Sequence, residues 1–102
     1  MSVIKRIPVE KIVAARNLLM SVNLDDMLVE ILSTIEKTYK SKPWLLSGRS
    51  SAFLLSGLIY LTAKRKGMTL TQREIGKALI ISELTVRNST RFWMDLLGDE
   101  KF

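Results

Sequence analysis

The chain has 102 residues, 47% of them hydrophobic, with 16 lysines and arginines against 10 aspartates and glutamates. That length holds one domain with a core of modest reserve, so residues 1–102 read as a single unit, with 98–102 as a fraying tail. Cysteine and histidine are both missing, which excludes disulfides, thiolate nucleophiles and the usual zinc sites; nothing points to a carboxylate-only metal site or to any cofactor.

The hydrophobic pattern is helical throughout and predicts an all-α chain of five helices. The first runs from about residue 9 to 20. Pro8 suits its start because a missing N–H costs nothing there, and Ile12, Ala15 and Leu19 recur at helical spacing. Asn23 and Leu24 break the chain. Asp25 and Asp26 then suit the positive end of the second helix's dipole, whose apolar face is Leu28, Ile31, Leu32, Ile35 and Tyr39. Pro43 ends that helix at or before Lys42. Residues 43–49 (PWLLSGR) read as the longest irregular link, with Gly48 as a turn residue.

The third helix, from near Ser50 to about Lys66, is apolar nearly all round (Phe53, Leu54, Leu55, Leu58, Ile59, Tyr60 and Leu61). Such a helix is buried by neighbours on several sides. Gly57 in its middle costs roughly 1 kcal/mol against Ala, which a close approach of another helix would explain. Lys64, Arg65 and Lys66 suit its negative end, and Gly67 stops it. The apolar run 51–63 is too short to cross a bilayer, and residues 1–8 are too short and mixed for a secretory signal. The fourth helix starts at Thr71, which stands at capping-box spacing from Glu74; Ile75, Ala78 and Leu79 are its core positions. The fifth starts after a second cap, Ser82, and runs to about Leu97, with Gly98 as its stop.

Charge is unevenly placed. Residues 64–91 hold seven basic side chains (Lys64, Arg65, Lys66, Arg73, Lys77, Arg87 and Arg91) and only two acidic ones, Glu74 and Glu83. A second acid-free run, 37–49, carries Lys37, Lys40, Lys42 and Arg49. A basic face favours polyanions such as DNA, RNA or anionic lipid, though many such faces are simply solvated. On the last helix, at about 100° per residue, Arg87, Asn88 and Arg91 fall within roughly 60° of Leu84. Val86, Trp93 and Leu97 fall on the opposite side. The outward set clusters in the first two turns, as a recognition helix entering the major groove requires. Arg pairs bidentately with guanine, Asn with adenine, and Leu touches a thymine methyl. Base contacts are therefore expected from Leu84, Arg87 and Asn88. Phosphate contacts are expected from Arg49, Lys64, Arg65, Lys66, Arg73, Lys77, Ser82, Thr85 and Arg91.

Residues 48–97 resemble the second cyclin-like repeat of transcription factor IIB and of its archaeal counterpart, transcription factor B. The likeness rests on Gly48-Arg49-Ser50 at the start of the central helix and on Leu61-Thr62-Ala63 near its end. It rests further on the run from Thr71 to Ile75 (Thr-Gln-x-Glu-Ile in the family) and on Glu83-Leu84-Thr85-Val86-Arg87-Asn88 (Glu-Val-Thr-Ile-Arg-Asn). Residues 1–42 match only in helix plan. The resemblance implies a five-helix cyclin-like fold with a C-terminal helix-turn-helix. It also implies reading of a promoter element beside the TATA box. The family's base-contacting Val and Arg fall on Leu84 and Arg87; the Arg matches and the Val is replaced. Where the family usually has Ala-Gly-Val in the turn, this chain has Leu79-Ile80-Ile81. Either the turn runs differently, or β-branched Ile80 carries a strained left-handed backbone. The family's zinc ribbon and first repeat have no counterpart in this sequence, and contacts with TATA-binding protein and RNA polymerase depend largely on those parts.

The leading expectation is thus a sequence-selective module for double-stranded promoter DNA, with TATA-binding protein and RNA polymerase as further expected partners. No membrane and no small-molecule substrate is implied, and the compartment is the archaeal cytoplasm, at the nucleoid, or a eukaryotic nucleus. The alternative is a cyclin-fold module that docks a transcription protein without specific DNA readout, using Trp44, Leu45 and Leu46 as an exposed apolar patch. Without histidine, cysteine, a Gly-rich phosphate loop or a convergent acid pair, the sequence argues against an enzyme.

Overall fold

The computed structural model describes residues 6–98. All the regular structure there is helical: α1 (Val9–Met20), α2 (Leu28–Ser41), α3 (Pro43–Leu46), α4 (Ser51–Arg65), α5 (Gln72–Leu79) and α6 (Glu83–Leu97), with one 3₁₀ turn at Asp25–Met27 leading into α2. The five expected helices stand where the sequence places them. The segment 43–49 departs from expectation: its first four residues form the helical turn α3, because Pro43 occupies the first helical position, where its ring costs nothing. Aspartates 25 and 26 start the 3₁₀ turn rather than α2 itself.

The helix ends follow from local chemistry. Ser50, Thr71 and Ser82 each accept a hydrogen bond from the backbone N–H three residues on, capping α4, α5 and α6. At Thr71 the capping box is complete, the Glu74 carboxylate accepting from the Thr71 N–H at 3.1 Å. Gly67 leaves α4 with φ 75°, and the Met68 N–H returns to the Ala63 carbonyl at 2.9 Å. Asn23 closes α1 in the same way at φ 59°, with Leu24 N–H on the Leu19 carbonyl at 2.8 Å.

Helix α4 is the hub and packs against α1, α2, α5 and α6. Leu55, Ile59 and Ala63 are fully buried, beside Ala15 and Leu19 of α1, Ile35 of α2, Ile75 and Leu79 of α5, and Val86 and Trp93 of α6. The tightest contact is between α4 and α6. A Cβ at Gly57 would lie 2.5 Å from the Ser89 backbone carbonyl carbon. The Ser89 hydroxyl accepts from the Gly57 N–H at 3.0 Å and donates to the Phe53 carbonyl. The Trp93 indole N–H donates to the Leu54 carbonyl at 3.0 Å. Two side chains of α6 thus anchor directly on the backbone of α4, so the outer face of α6 is held in a fixed direction. None of the described helices is long and apolar enough to cross a membrane. Residues 99–102, where a frayed tail was expected, lie outside the described region.

Candidate nucleic-acid interface

Helices α5 and α6 meet through a three-residue turn, Ile80-Ile81-Ser82. Ile80 has φ 60° and ψ 51°, the left-handed region. Of the two courses open to the turn, the chain thus takes the strained one, which costs about 1–2 kcal/mol for an ordinary L-residue. The N–H groups of Ile80 and Ile81 both return to the Gly76 carbonyl. Gly76 is what permits this closure, since a Cβ there would meet the Ile81 carbonyl oxygen at 2.7 Å. From the far end of the chain, the Lys11 ammonium of α1 donates to the Leu79 carbonyl at 2.8 Å. A cation on the last carbonyls of a helix satisfies an orphan acceptor and complements the dipole.

The face of α6 divides as its sequence requires. Val86 and Trp93 are fully buried, Leu97 is half-buried, and Leu84, Arg87, Asn88 and Arg91 are exposed, Leu84 by 59%. Two small polar residues, Ser89 and Thr90, complete the buried arc. Thr90 is satisfied by the Val86 carbonyl at 2.9 Å. Ser82 and Thr85 hydroxyls bond each other at 2.9 Å, so both serve the cap before any ligand.

The basic side chains fall into separate groups. Arg73 and Lys77 line a groove of about 490 Å³ along the turn, with Gly76, Ile80, Ile81, Ser82 and Glu83. Arg87 and Arg91 line a second, of about 260 Å³, with Gln72, Thr90, Met94 and Asp95. Among the described residues, Arg73, Lys77, Arg87 and Arg91 form no ion pair. Four cations therefore stand available on the outer side of α5 and α6. The others stand elsewhere. Arg49 stacks over the rings of Phe92 and Phe53, 4.4 and 5.1 Å from their centroids, and its Nε donates to the Leu45 carbonyl. Phe92 lies one turn beyond Asn88, so Arg49 flanks the outer face of α6 from the start of α4. Arg65 pairs with Glu30 of α2 at 2.8 Å, in a groove it shares with Asp26 and Leu97. Lys64 lines a further groove with Tyr60, Met68 and Leu70, and Lys66 is exposed at the cap of α4.

Several residues of this surface were not singled out in the sequence. Gln72 follows the capping Thr71 directly and shares a cleft with Arg87 and Arg91; its place in the first turn of a capped helix was a legible signal. Gly76 was legible as a glycine inside a short helix. Lys11 gave no signal, because its partner lies 68 residues away. The expected apolar patch at Trp44, Leu45 and Leu46 needs correction. Trp44 is 67% exposed, but Leu45 is half-buried and Leu46 is only 7% exposed, turned inward by α3 beside Ile35 and Leu54.

Comparison with known proteins bears on the whole of this arrangement. The family described as "Transcription factor TFIIB repeat" matches residues 14–93. The chain is 33% identical over 67 residues to the Transcription initiation factor IIB of Pyrococcus abyssi, and 31% identical over 67 residues to that of Pyrococcus horikoshii. Each alignment covers 66% of this chain and 22% of the relative, so the chain spans about a fifth of the curated relatives it matches. No solved structure matches it significantly. With its all-helical fold and a family match from α1 into α6, the chain belongs to the transcription factor TFIIB repeat family.

Proposed function

We propose that this repeat is a sequence-selective module for double-stranded DNA within transcription initiation, reading a promoter element next to the TATA box through α5 and α6. One observation carries the reading: four cations that form no ion pair among the described residues, with the exposed Leu84 and Asn88, stand on the outer side of a doubly capped helix pair whose inner side is locked to α4. Arg87 reads a base, with Leu84 and Asn88 beside it. Arg73, Lys77 and Arg91 hold phosphates, and Gln72 at the start of α5 serves the same backbone. Arg49 reaches the DNA only from the Phe92 side, and Arg65 only by leaving Glu30. TATA-binding protein and RNA polymerase are the partners this role calls for.

Selection of bound duplexes from a random pool, with and without TATA-binding protein, tests the reading. Enrichment of one common site supports it. Retention of no duplex, or of all duplexes alike, overturns it. Protein docking without specific DNA readout would then stand in its place, with Trp44 as its exposed anchor.

A further inference from the structure

The turn needs a left-handed residue at position 80, but the fold does not need that residue to be an isoleucine. Ile80 is 82% exposed, so its side chain adds little to the core, and its backbone is left-handed, where a β-branched residue is strained. Single exposed apolar residues are ordinary and need no explanation. An exposed one that also strains the turn it sits in is different, because Gly or Asn closes such a turn at lower cost.

The surroundings indicate what the side chain meets. Ile80 stands in the groove lined by Arg73 and Lys77, seven and three residues behind it along α5, and by Glu83 at the start of α6. Two cations on one wall suit phosphates. The Glu83 carboxylate opposes a phosphate at the α6 wall, which leaves that part of the groove to uncharged base edges. Among base edges of the major groove, only thymine presents a methyl group.

Resting on the DNA-reading role of α5 and α6, we propose that Ile80 is a second apolar reader, whose side chain packs on the 5-methyl of a thymine distinct from the base pairs served by Leu84 and Arg87. The recognition site of this repeat therefore extends past the first turn of α6 to a base pair facing the turn.

The test uses the duplex obtained by selection, with each thymine replaced singly by deoxyuridine, which removes only the methyl. The wild-type chain is expected to lose about 3–5-fold in affinity at a thymine other than any that Leu84 contacts, the size expected for one buried methyl. Ile80→Gly is expected to show no loss at that position, whereas Leu84→Ala keeps the wild-type response there. A melting temperature of Ile80→Gly at or above that of the wild type shows that the variant is folded. A selected site without thymine overturns the proposal, as does an Ile80→Gly chain that binds the selected duplex as tightly as the wild type or responds to every deoxyuridine as the wild type does. In those cases salt-dependent, sequence-selective binding by the wild type leaves the broader DNA reading standing. If the wild type selects no duplex at all, both fall together.

Discussion

Arg87 and Lys77 carry the same charge but stand in different surroundings, and that difference predicts different losses. Arg87 is exposed on the first two turns of α6 and shares its cleft with Gln72 and Arg91. Arg87→Ala is expected to cost about 1–3 kcal/mol on the selected duplex and to relax preference at one position. Lys77 lies on α5, along the turn. Lys77→Ala is expected to weaken all duplexes alike and to reduce the salt slope by about 1. Anisotropy titrations on selected and scrambled duplexes, at two salt concentrations, separate the two. The outward run Leu84, Arg87, Asn88 and Arg91 was legible because helical phase alone sorts it from Val86 and Trp93. The availability of each cation was not. Arg49, Arg65 and Arg73 read alike in sequence, yet one stacks on Phe92, one pairs with Glu30 and one is unpaired among the described residues.

The α4–α6 crossing is where the two longest of the described helices meet, and its close approach rests on one glycine. Gly57→Ala would push a methyl to 2.5 Å from the Ser89 backbone. Neither backbone yields easily, so a loss of about 1–3 kcal/mol is expected in urea unfolding, as for other overpacked cores. The sequence pointed to a close approach at Gly57, since a mid-helix glycine otherwise only costs stability. It did not identify the partner, because a serine on an amphipathic helix reads as surface until the facing backbone is known. Helix α3 escaped for another reason. Four residues are one turn, too short for any periodicity, and only the burial of Leu46 gives the segment its place. Gly76→Ala belongs to the α5–α6 pair. Its Cβ would strike the Ile81 carbonyl at 2.7 Å, so the turn must open. Selective DNA binding is expected to fall more than stability does, as measured by anisotropy beside thermal unfolding.

Across the molecule, the first helix is tied to the candidate reading surface. Lys11 of α1 holds the Leu79 carbonyl at 2.8 Å, and α1 also packs on α4. Lys11→Met keeps the aliphatic stem and removes the donor. It is expected to cost about 0.5–1.5 kcal/mol in stability, the range of one net hydrogen bond. Because that carbonyl immediately precedes Ile80, a reduced preference for the selected duplex over a scrambled one is expected as well. The charge distribution makes a further prediction. If Arg73, Lys77 and Arg91 each meet a phosphate, the logarithm of affinity falls against the logarithm of salt with a slope of about −3, whereas an apolar protein dock shows almost none.

Helix positions, their caps and the outward face of α6 were written in the sequence, because each depends on residues within one or two turns of each other. The capping box at Thr71 and Glu74, the cap at Ser82 and the phase of Arg87 against Trp93 are all local. Tertiary structure decided the rest. It seated Ser89 on the backbone of α4, brought Lys11 to the end of α5, set Arg49 and Arg65 on side chains of other elements and turned Leu46 inward. It also resolved the turn, where sequence left two courses open: the Gly76 carbonyl takes both returning N–H groups, and closing onto it holds Ile80 left-handed. Contacts between residues far apart in the chain leave no local pattern, and each of these depends on the distance between helices that only the packed core sets.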